Sequence, residues 1–341
     1  MVTLGADTHK STHTVVVVDA NGRQLGERTL PATPAGHLQL VQWASQWPNR
    51  TWAIEDCRHL SRRLEADLLR AGERVVRVAP RLMAGARRSS RVPGKSDPID
   101  ALAVARAALR ELDLPTASLD GPERDIRLLL DHRDDLVAER TRMHNRLRWH
   151  LHELDPAASP ALRSLNRQGV LSLLEQQLAT VPGVVARLAR ELVARISALT
   201  VTINNLEREI GCLVRPLAPT LLALLGCGVL TAAKLVGETA DVRRFRSPAA
   251  YARHNGTAPV PVWSGNTQRV RLSRGGNRQL NAALHRIAVT QLQQHAAGHD
   301  YVQRRLAHGN TKTEAIRALR RHLSNEVYRR MLADAQLRPL T

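Results

Sequence analysis

Apolar positions change their spacing three times along the chain, and each change marks a different kind of element. The opening, MVTLGADTHKSTHTVVVVDANG, holds two apolar runs broken by a polar bend. Thr12–Val18 is rich in β-branched residues, and Asn21-Gly22 after it is the strongest short hairpin signal. Strand, bend, strand and turn are therefore predicted. Arg23–Leu30 reads as a third strand, Pro34–Gln46 as a helix and Thr51–Glu55 as a short apolar strand. Leu60, Leu64 and Leu68 share one stripe of a helix expected over His59–Ala71, which Gly72 closes. Arg74–Ala79 is another strand before Pro80, and a basic loop then feeds a helix running to about Leu112. Three hairpin-linked strands, then helix, strand, helix, strand, helix, is the element order of an α/β ribonuclease H-like fold.

The middle of the chain is helical. Residues 122–154 form a charged stretch without Pro beyond its first residue and without Gly. Val185, Ala189, Leu192, Ile196, Leu199, Ile203, Leu206, Ile210 and Leu213 then follow at alternating spacings of four and three, a coiled-coil signal. Two arrangements satisfy it: a seam between protomers, or an antiparallel pairing with 122–154 inside one chain. From Pro216 onward the chain reads as mainly helical and basic. LLALLGCGVLTAAKLVGE suggests two helices around a Gly-x-Gly turn, whose backbone N–H groups suit a phosphate. Residues 254–279, rich in Gly, Pro and Arg, read as a long irregular loop, and such loops are often functional. The expected domains are 1–115, 120–215 and 216–335.

Composition narrows the class. In 341 residues, 50 Lys plus Arg against 31 Asp plus Glu give a net charge of +19, which predicts a polyanionic partner, most commonly nucleic acid. No apolar run nears the roughly 20 residues that span a bilayer, and no signal-peptide core is present. Cys57, Cys212 and Cys227 are scattered, with no CxxC pair, which argues against disulfides and a zinc site. A cytoplasmic, nucleoid-associated protein with no membrane partner is expected. Aromatic residues are only 3% of the chain, too few for a base-stacking platform.

Four carboxylates stand at strand and helix ends: Asp7, Glu55, Asp97 and Asp100. Asp97 as N-cap, Pro98 at N1 and Asp100 at N3 would make a reasonable capping arrangement. Capping does not explain Asp7 or Glu55. In a ribonuclease H-like sheet the first and fourth strands are neighbours and the last helix packs over their ends, so all four groups can converge. Converging carboxylates repel unless cations neutralise them, and hard oxygen ligands suit Mg2+ or Mn2+. Arg81, Arg87, Arg88, Arg91 and Lys95, just before Asp97, would supply the positive surround that DNA needs.

With these residues in view, the chain resembles the DEDD transposases of bacterial insertion sequences, the bridge-RNA-guided recombinases related to Piv-type DNA invertases. GADTHK, AIEDCRHL and GKSDPIDALAVARA resemble that family's N-terminal blocks, and FRSPAAYARHNGTAPVPVWSGNTQRVRLSRGGNRQLNAAL its C-terminal block. The likeness runs from about Val2 to about Gln293. It implies a RuvC-like metal-binding domain, a coiled-coil middle and a C-terminal transposase domain with a serine nucleophile. It implies that Asp7, Glu55, Asp97 and Asp100 hold Mg2+ or Mn2+. The family's Ser-Ser-Gly pattern here reads Trp263-Ser264-Gly265, so Ser264 is the candidate nucleophile and Trp263 a departure. Ser273 is the runner-up. Arg269, Arg271, Arg274, Asn277 and Arg278 are candidate phosphate contacts. The likeness further implies donor and target DNA, a bridge RNA, and a dimer or tetramer whose sites combine residues of different protomers. Two other readings stand beside it: a Holliday-junction endonuclease using activated water, and a non-catalytic nucleic-acid-binding protein, which would leave the four carboxylates without a role.

Overall fold

Five strands pair into one sheet in the computed structural model of the chain: β1 (Val2–Thr8), β2 (Thr12–Val18), β3 (Gln24–Pro31), β4 (Arg50–Glu55) and β5 (Val75–Val78). The structure describes residues 1–55, 60–80, 82–83, 96–111, 114–117, 121–158, 160–161, 164–265, 267–272 and 275–337. The sheet order is β3-β2-β1-β4-β5. The hairpin-linked strands β1, β2 and β3 are antiparallel, and β4 runs parallel to both β1 and β5. Contacts divide the chain into two units, Met1–Asp120 with Arg244–Arg246, and Gly121–Arg243 with Ser247–Thr341.

In the first unit both faces of the sheet are covered. Helices α1 (Pro34–Ala44) and α2 (Arg62–Arg70) cover one face, burying Leu4, Ala6, Val15, Val17, Leu40, Trp52, Ile54, Leu64 and Leu68 together. Each such large side chain contributes roughly 1.5–3 kcal/mol. Helix α3 (Asp97–Arg110) covers the other face, setting Ala101 and Ala105 against Val16 and Val18, and Val104 and Ala107 against Ala53, Val76 and Val78. Strand side chains alternate, so Gly5 and Asp7 of β1 and Ala53 and Glu55 of β4 belong to the α3 face. The α3 backbone lies so close to β1 that a Cβ on Gly5 would sit 2.2 Å from the Ala101 carbonyl oxygen. Only glycine admits that approach.

The second unit is mainly helical. Two long helices, α4 (Pro122–Leu154) and α6 (Val184–Leu217), lie antiparallel: Arg133 Nη2 meets Glu207 Oε1 at 2.6 Å, Arg140 reaches Thr200, and Leu147 and Leu151 pack with Ala189, Val193 and Ile196. α5 (Gln168–Ala179) adds Leu171, Leu174 and Leu178 to that core. Ala189, Ile196, Ile203 and Ile210 of the heptad seam are buried, while Leu192, Leu199, Leu206 and Leu213 are half-buried. The seam is thus covered within the chain by α4. The short α7 (Pro219–Leu222) and α8 (Val229–Thr239) follow, and Lys234 of α8 pairs with Asp134 of α4 at 2.8 Å. Packing therefore runs continuously across residue 216. After α9 (Pro248–His254) come β6 (Pro259–Ser264) and β7 (Thr267–Leu272), then α10 (Arg278–Gln293), α11 (Ala297–Ala307) and α12 (Lys312–Gln336).

The loop expected over 254–279 is corrected by β6 and β7, an antiparallel hairpin in which Ser264 pairs with Thr267. Its physical basis is a two-residue turn, with Gly265 at φ +55, between short alternating runs. The alternation was masked by Pro259 and Pro261, tolerable here because the ribbon has only edge strands. Among the described residues no helix is long and apolar enough to cross a membrane.

One buried pair makes the first unit sensitive to acid. His13 of β2 and His37 of α1 stack at 5.1 Å, and His37 Nδ1 lies 2.7 Å from Asp67 Oδ2 of α2. Burial, reinforced by His37, pushes the His13 pKa down to about 4. A group whose folded pKa is depressed below the ordinary 6.5 in this way is neutral when folded and takes up its proton on unfolding. Its contribution is full above about pH 6.5 and falls by up to about 3 kcal/mol as the pH drops toward 4. Denaturant unfolding followed between pH 7 and 4.5 should show this loss, and His13→Leu should flatten it. An equally steep fall in His13→Leu would assign the acid response to another group.

Candidate functional site

Asp7, next to the last residue of β1, lies on the face covered by α3, and its carboxylate is nearly buried, with a side-chain exposure of 9%. The parallel register pairs Ala6 with Ile54, which brings the last residue of β4, Glu55, level with Asp7. α3 starts above this edge. Its N-cap is Ser96, not Asp97, so the capping arrangement expected for Asp97, Pro98 and Asp100 is not formed. The Asp97 carboxylate is left half-exposed and turned toward His9: His9 Nε2 lies 3.1 Å from Asp7 Oδ2 and 3.3 Å from Asp97 Oδ1. Asp100, in the first turn of α3, is buried.

These placements explain the charge state of Asp7. Burial is the largest influence and raises its pKa; the Asp100 and Asp97 charges raise it further, against the lowering effect of His9. A carboxylate so placed favours any cation that enters.

Asp7 Oδ2, His9 Nε2 and Asp97 Oδ1 lie mutually within the reach of one metal ion, all within 4.8 Å of one another. Two carboxylates fit Mg2+ or Mn2+, and an imidazole completes a set that also accepts softer divalent ions. The donor chemistry therefore fits a divalent cation. The structure brings Asp7, Asp97 and Asp100 together; Glu55 stands at the adjacent strand end but is not among the three converging groups. His9 was missed in the sequence. It lies just past the end of β1, so no strand period marked it. Arg81, Arg87, Arg88, Arg91 and Lys95 lie outside the described residues.

The second candidate element is the β6–β7 hairpin, whose turn follows residue 264. The Ser264 side chain and those of Thr267–Val270 lie outside the described residues, as do Ser273 and Arg274; Trp263 and Arg271 are exposed. The base of the hairpin is tightly held. A Cβ on Gly276 would fall 2.2 Å from the Gly256 nitrogen, so the two backbone strands touch only because position 276 is glycine. Asn277 N–H donates to the His254 carbonyl at 2.7 Å, and Asn281 Nδ2 to the Asn255 carbonyl at 3.0 Å. Buried Asn255 donates to Ser324 Oγ and accepts from Thr257. The Asn277 side chain caps α10 through the Gln279 and Leu280 N–H groups and donates to buried Glu238 at 2.6 Å. The fold thus uses Asn277, whereas Arg278 beside it is exposed.

Comparison with known proteins gives a consistent match. A DEDD transposase model of the IS110 type matches residues 4–156, and a model of the IS116/IS110/IS902 transposase family matches residues 218–303. The uncharacterized 44.8 kDa protein of insertion element IS116 of Streptomyces clavuligerus is 27% identical over 98% of this chain and 95% of its own. The uncharacterized 42 kDa protein of IS900 of Mycobacterium paratuberculosis is 27% identical over 99% of this chain and 97% of its own. A probable family 20 transposase of Pseudomonas aeruginosa is 29% identical over 56% of this chain and 57% of its own. Among solved structures, T. thermophilus RuvC bound to a Holliday junction substrate aligns with 31% of this chain and 91% of its own, at 17% identity and a TM-score of 0.26.

The acidic edge predicts opposite effects for two substitutions. In chelator, Asp7→Asn should raise the melting temperature of the first unit, by about 3–5 °C, because a repelling charge is gone. His9→Ala should lower it, because the contacts bridging Asp7 and Asp97 are lost. Both should lose most of the melting-temperature rise that saturating Mn2+ gives the native protein. An undiminished rise in Asp7→Asn would remove Asp7 from the metal site.

Proposed function

The chain belongs to the DEDD transposases of the IS110 family, and from that membership we propose that it cleaves and rejoins DNA with a divalent-metal site and a serine nucleophile. One observation carries the reading: Asp7, Asp97 and Asp100 meet at one sheet edge, at the electrostatic cost seen in the raised pKa of Asp7. Asp97 is not the helix cap; its first-turn position suits the helix dipole, but that alone does not require it to face Asp7 through His9.

Asp7 and Asp97 would hold the cation, with His9 as a third donor and Glu55 and Asp100 beside them. A bound divalent ion supplies Lewis acidity at the phosphate and favours the deprotonated form of an attacking oxygen. Ser264 Oγ attacks phosphorus and gives up its proton, a P–O bond to deoxyribose breaks, and the departing sugar oxygen takes up a proton. The phosphoserine ester conserves the energy of the broken bond. Attack by a second strand's hydroxyl then rejoins DNA and frees the serine. Serine at its ordinary pKa is a poor nucleophile, so this route needs the acidic edge and its cation close to the hydroxyl. Family likeness supports a dimer or tetramer in which the two parts come from different protomers. It also supports a bridge RNA whose base pairing selects donor and target, with Arg87, Arg88, Arg91, Lys95, Arg269, Arg271, Arg274 and Arg278 on the nucleic-acid backbone.

Labelled DNA carrying the element's end, incubated with Mg2+ and analysed on a denaturing gel, tests the nucleophile. The native protein should give a band that protease removes, and Ser264→Ala should give none while still folding and binding nucleic acid. Substitution in a hairpin turn costs little stability, usually within about 0.5 kcal/mol. An adduct persisting in Ser264→Ala would shift the assignment to Ser273. Cleavage without any adduct in the native protein would favour water attack, as in a junction endonuclease.

A further inference from the structure

The second unit contains an arginine group that the proposed reaction does not use. Arg320, midway along α12, reaches across to α10 and donates from Nη1 to Asn281 Oδ1 at 2.8 Å. Its Nε is buried and has no hydrogen-bond partner among the described residues. Arg317 lies one turn earlier on α12 and is exposed; His285 lies one turn after Asn281 on α10 and is also exposed. Arg278, Asn281 and His285 fall on one stripe of α10, since residues three, four and seven apart share a helix face.

Arg320 stands between the other two groups and feels or exerts like-charge repulsion with each. Burial, then the Arg317 charge, holds Arg320 below the usual arginine range, and burial, then Arg320, holds His285 below the usual imidazole range. Among the described residues no carboxylate is among the influences on either. The carboxylate that Arg317 does influence, Glu314, is committed to a capping box with Thr311. Among the described residues Arg317 and Arg320 make no ion pair, unlike Arg133, Arg187 and Arg330, which all do. Uncompensated cations around a buried guanidinium N–H form a site for a multiply accepting anion, and a phosphate matches arginine geometry best.

We propose that Arg317, Arg320 and His285 hold one backbone phosphate of the DNA strand that the β6–β7 hairpin engages. The commitment to DNA rests on the reading of Ser264 as the nucleophile. The link is structural: Asn281 accepts from Arg320 and donates to the Asn255 carbonyl, close before β6, so a phosphate bound at Arg320 is tied in register to the strand ending at Ser264. These are positioning residues. Contacts of this kind fix register and carry no sequence information.

The test is anisotropy titration of the full-length chain with a labelled DNA duplex at several salt concentrations. Arg317→Gln and Arg320→Gln should each lower the salt slope by about one and weaken binding about eightfold at about 0.1 M salt, equally for unrelated sequences. Arg187→Gln removes the same charge from an exposed pair with Glu191 and should change neither quantity. A slope unchanged in folded Arg317→Gln overturns the proposal, and that variant remains informative if Arg320→Gln fails to fold. An equal loss in Arg187→Gln would also overturn it, as a response to net charge alone. A loss seen with single-stranded RNA but not with DNA would overturn the choice of DNA. Ser264→Ala should keep the full salt slope, so failure of the nucleophile assignment and failure of this site read out separately.

Discussion

Repulsion among Asp7, Asp97 and Asp100 is the constraint around which the first unit is built. α3 is brought against β1 at Gly5, two residues before Asp7, by a backbone approach that no side chain would permit. Ala101 and Ala105 extend the close packing along the helix. The chain therefore uses its smallest residues to gather like charges at one edge. Burial and the neighbouring acidic charges hold the Asp7 carboxyl above its usual range, and a perturbed group of this kind is a candidate for function. His9 bridges Asp7 and Asp97 and relieves part of the conflict from within the chain.

The second unit solves a different problem, holding a short ribbon steady. A two-stranded hairpin is barely stable by itself in water. Here its base is fixed by the contact of Gly276 with Gly256 and by the hydrogen bonds of Asn255, Asn277 and Asn281, which in turn reach Ser324 and Arg320 on α12 and Glu238 on α8. Chemistry borne on a loop is only as accurate as the elements that anchor it.

The strands of the first unit were legible in the sequence because their apolar runs are long and bounded by clear turns. Asp7, Asp97 and Asp100 were legible because carboxylates at strand and helix ends need a reason, although Asp97 had a competing one as a cap until Ser96 took that place. His9 was not, since a single polar residue after a strand has no period to expose it. The hairpin was not, since two prolines and four arginines hide a six-residue alternation. The heptads were legible as a seam but not as to its partner, because a helix of the same chain and one of another chain demand the same apolar stripe. Arg133 with Glu207 and Lys234 with Asp134 decide the pairing described here, and such pairs are set by three-dimensional approach that no local pattern encodes.

The two charged clusters pose one electrostatic problem with opposite signs. At the sheet edge Asp7, Asp97 and Asp100 stand close together; on α12, Arg317 and Arg320 are neighbouring cations beside α10. In water each arrangement is a net cost, because like charges on partly buried groups are paid for in stability. On the proposed function both costs would reverse when a polyanion and its divalent counterion bind, since each brings the opposite charge to one cluster. A net charge of +19 attracts any polyanion without regard to sequence, so attraction alone cannot select a scissile phosphate. Selection has to come from where charge is locally mismatched, and those are the places where binding releases the most strain.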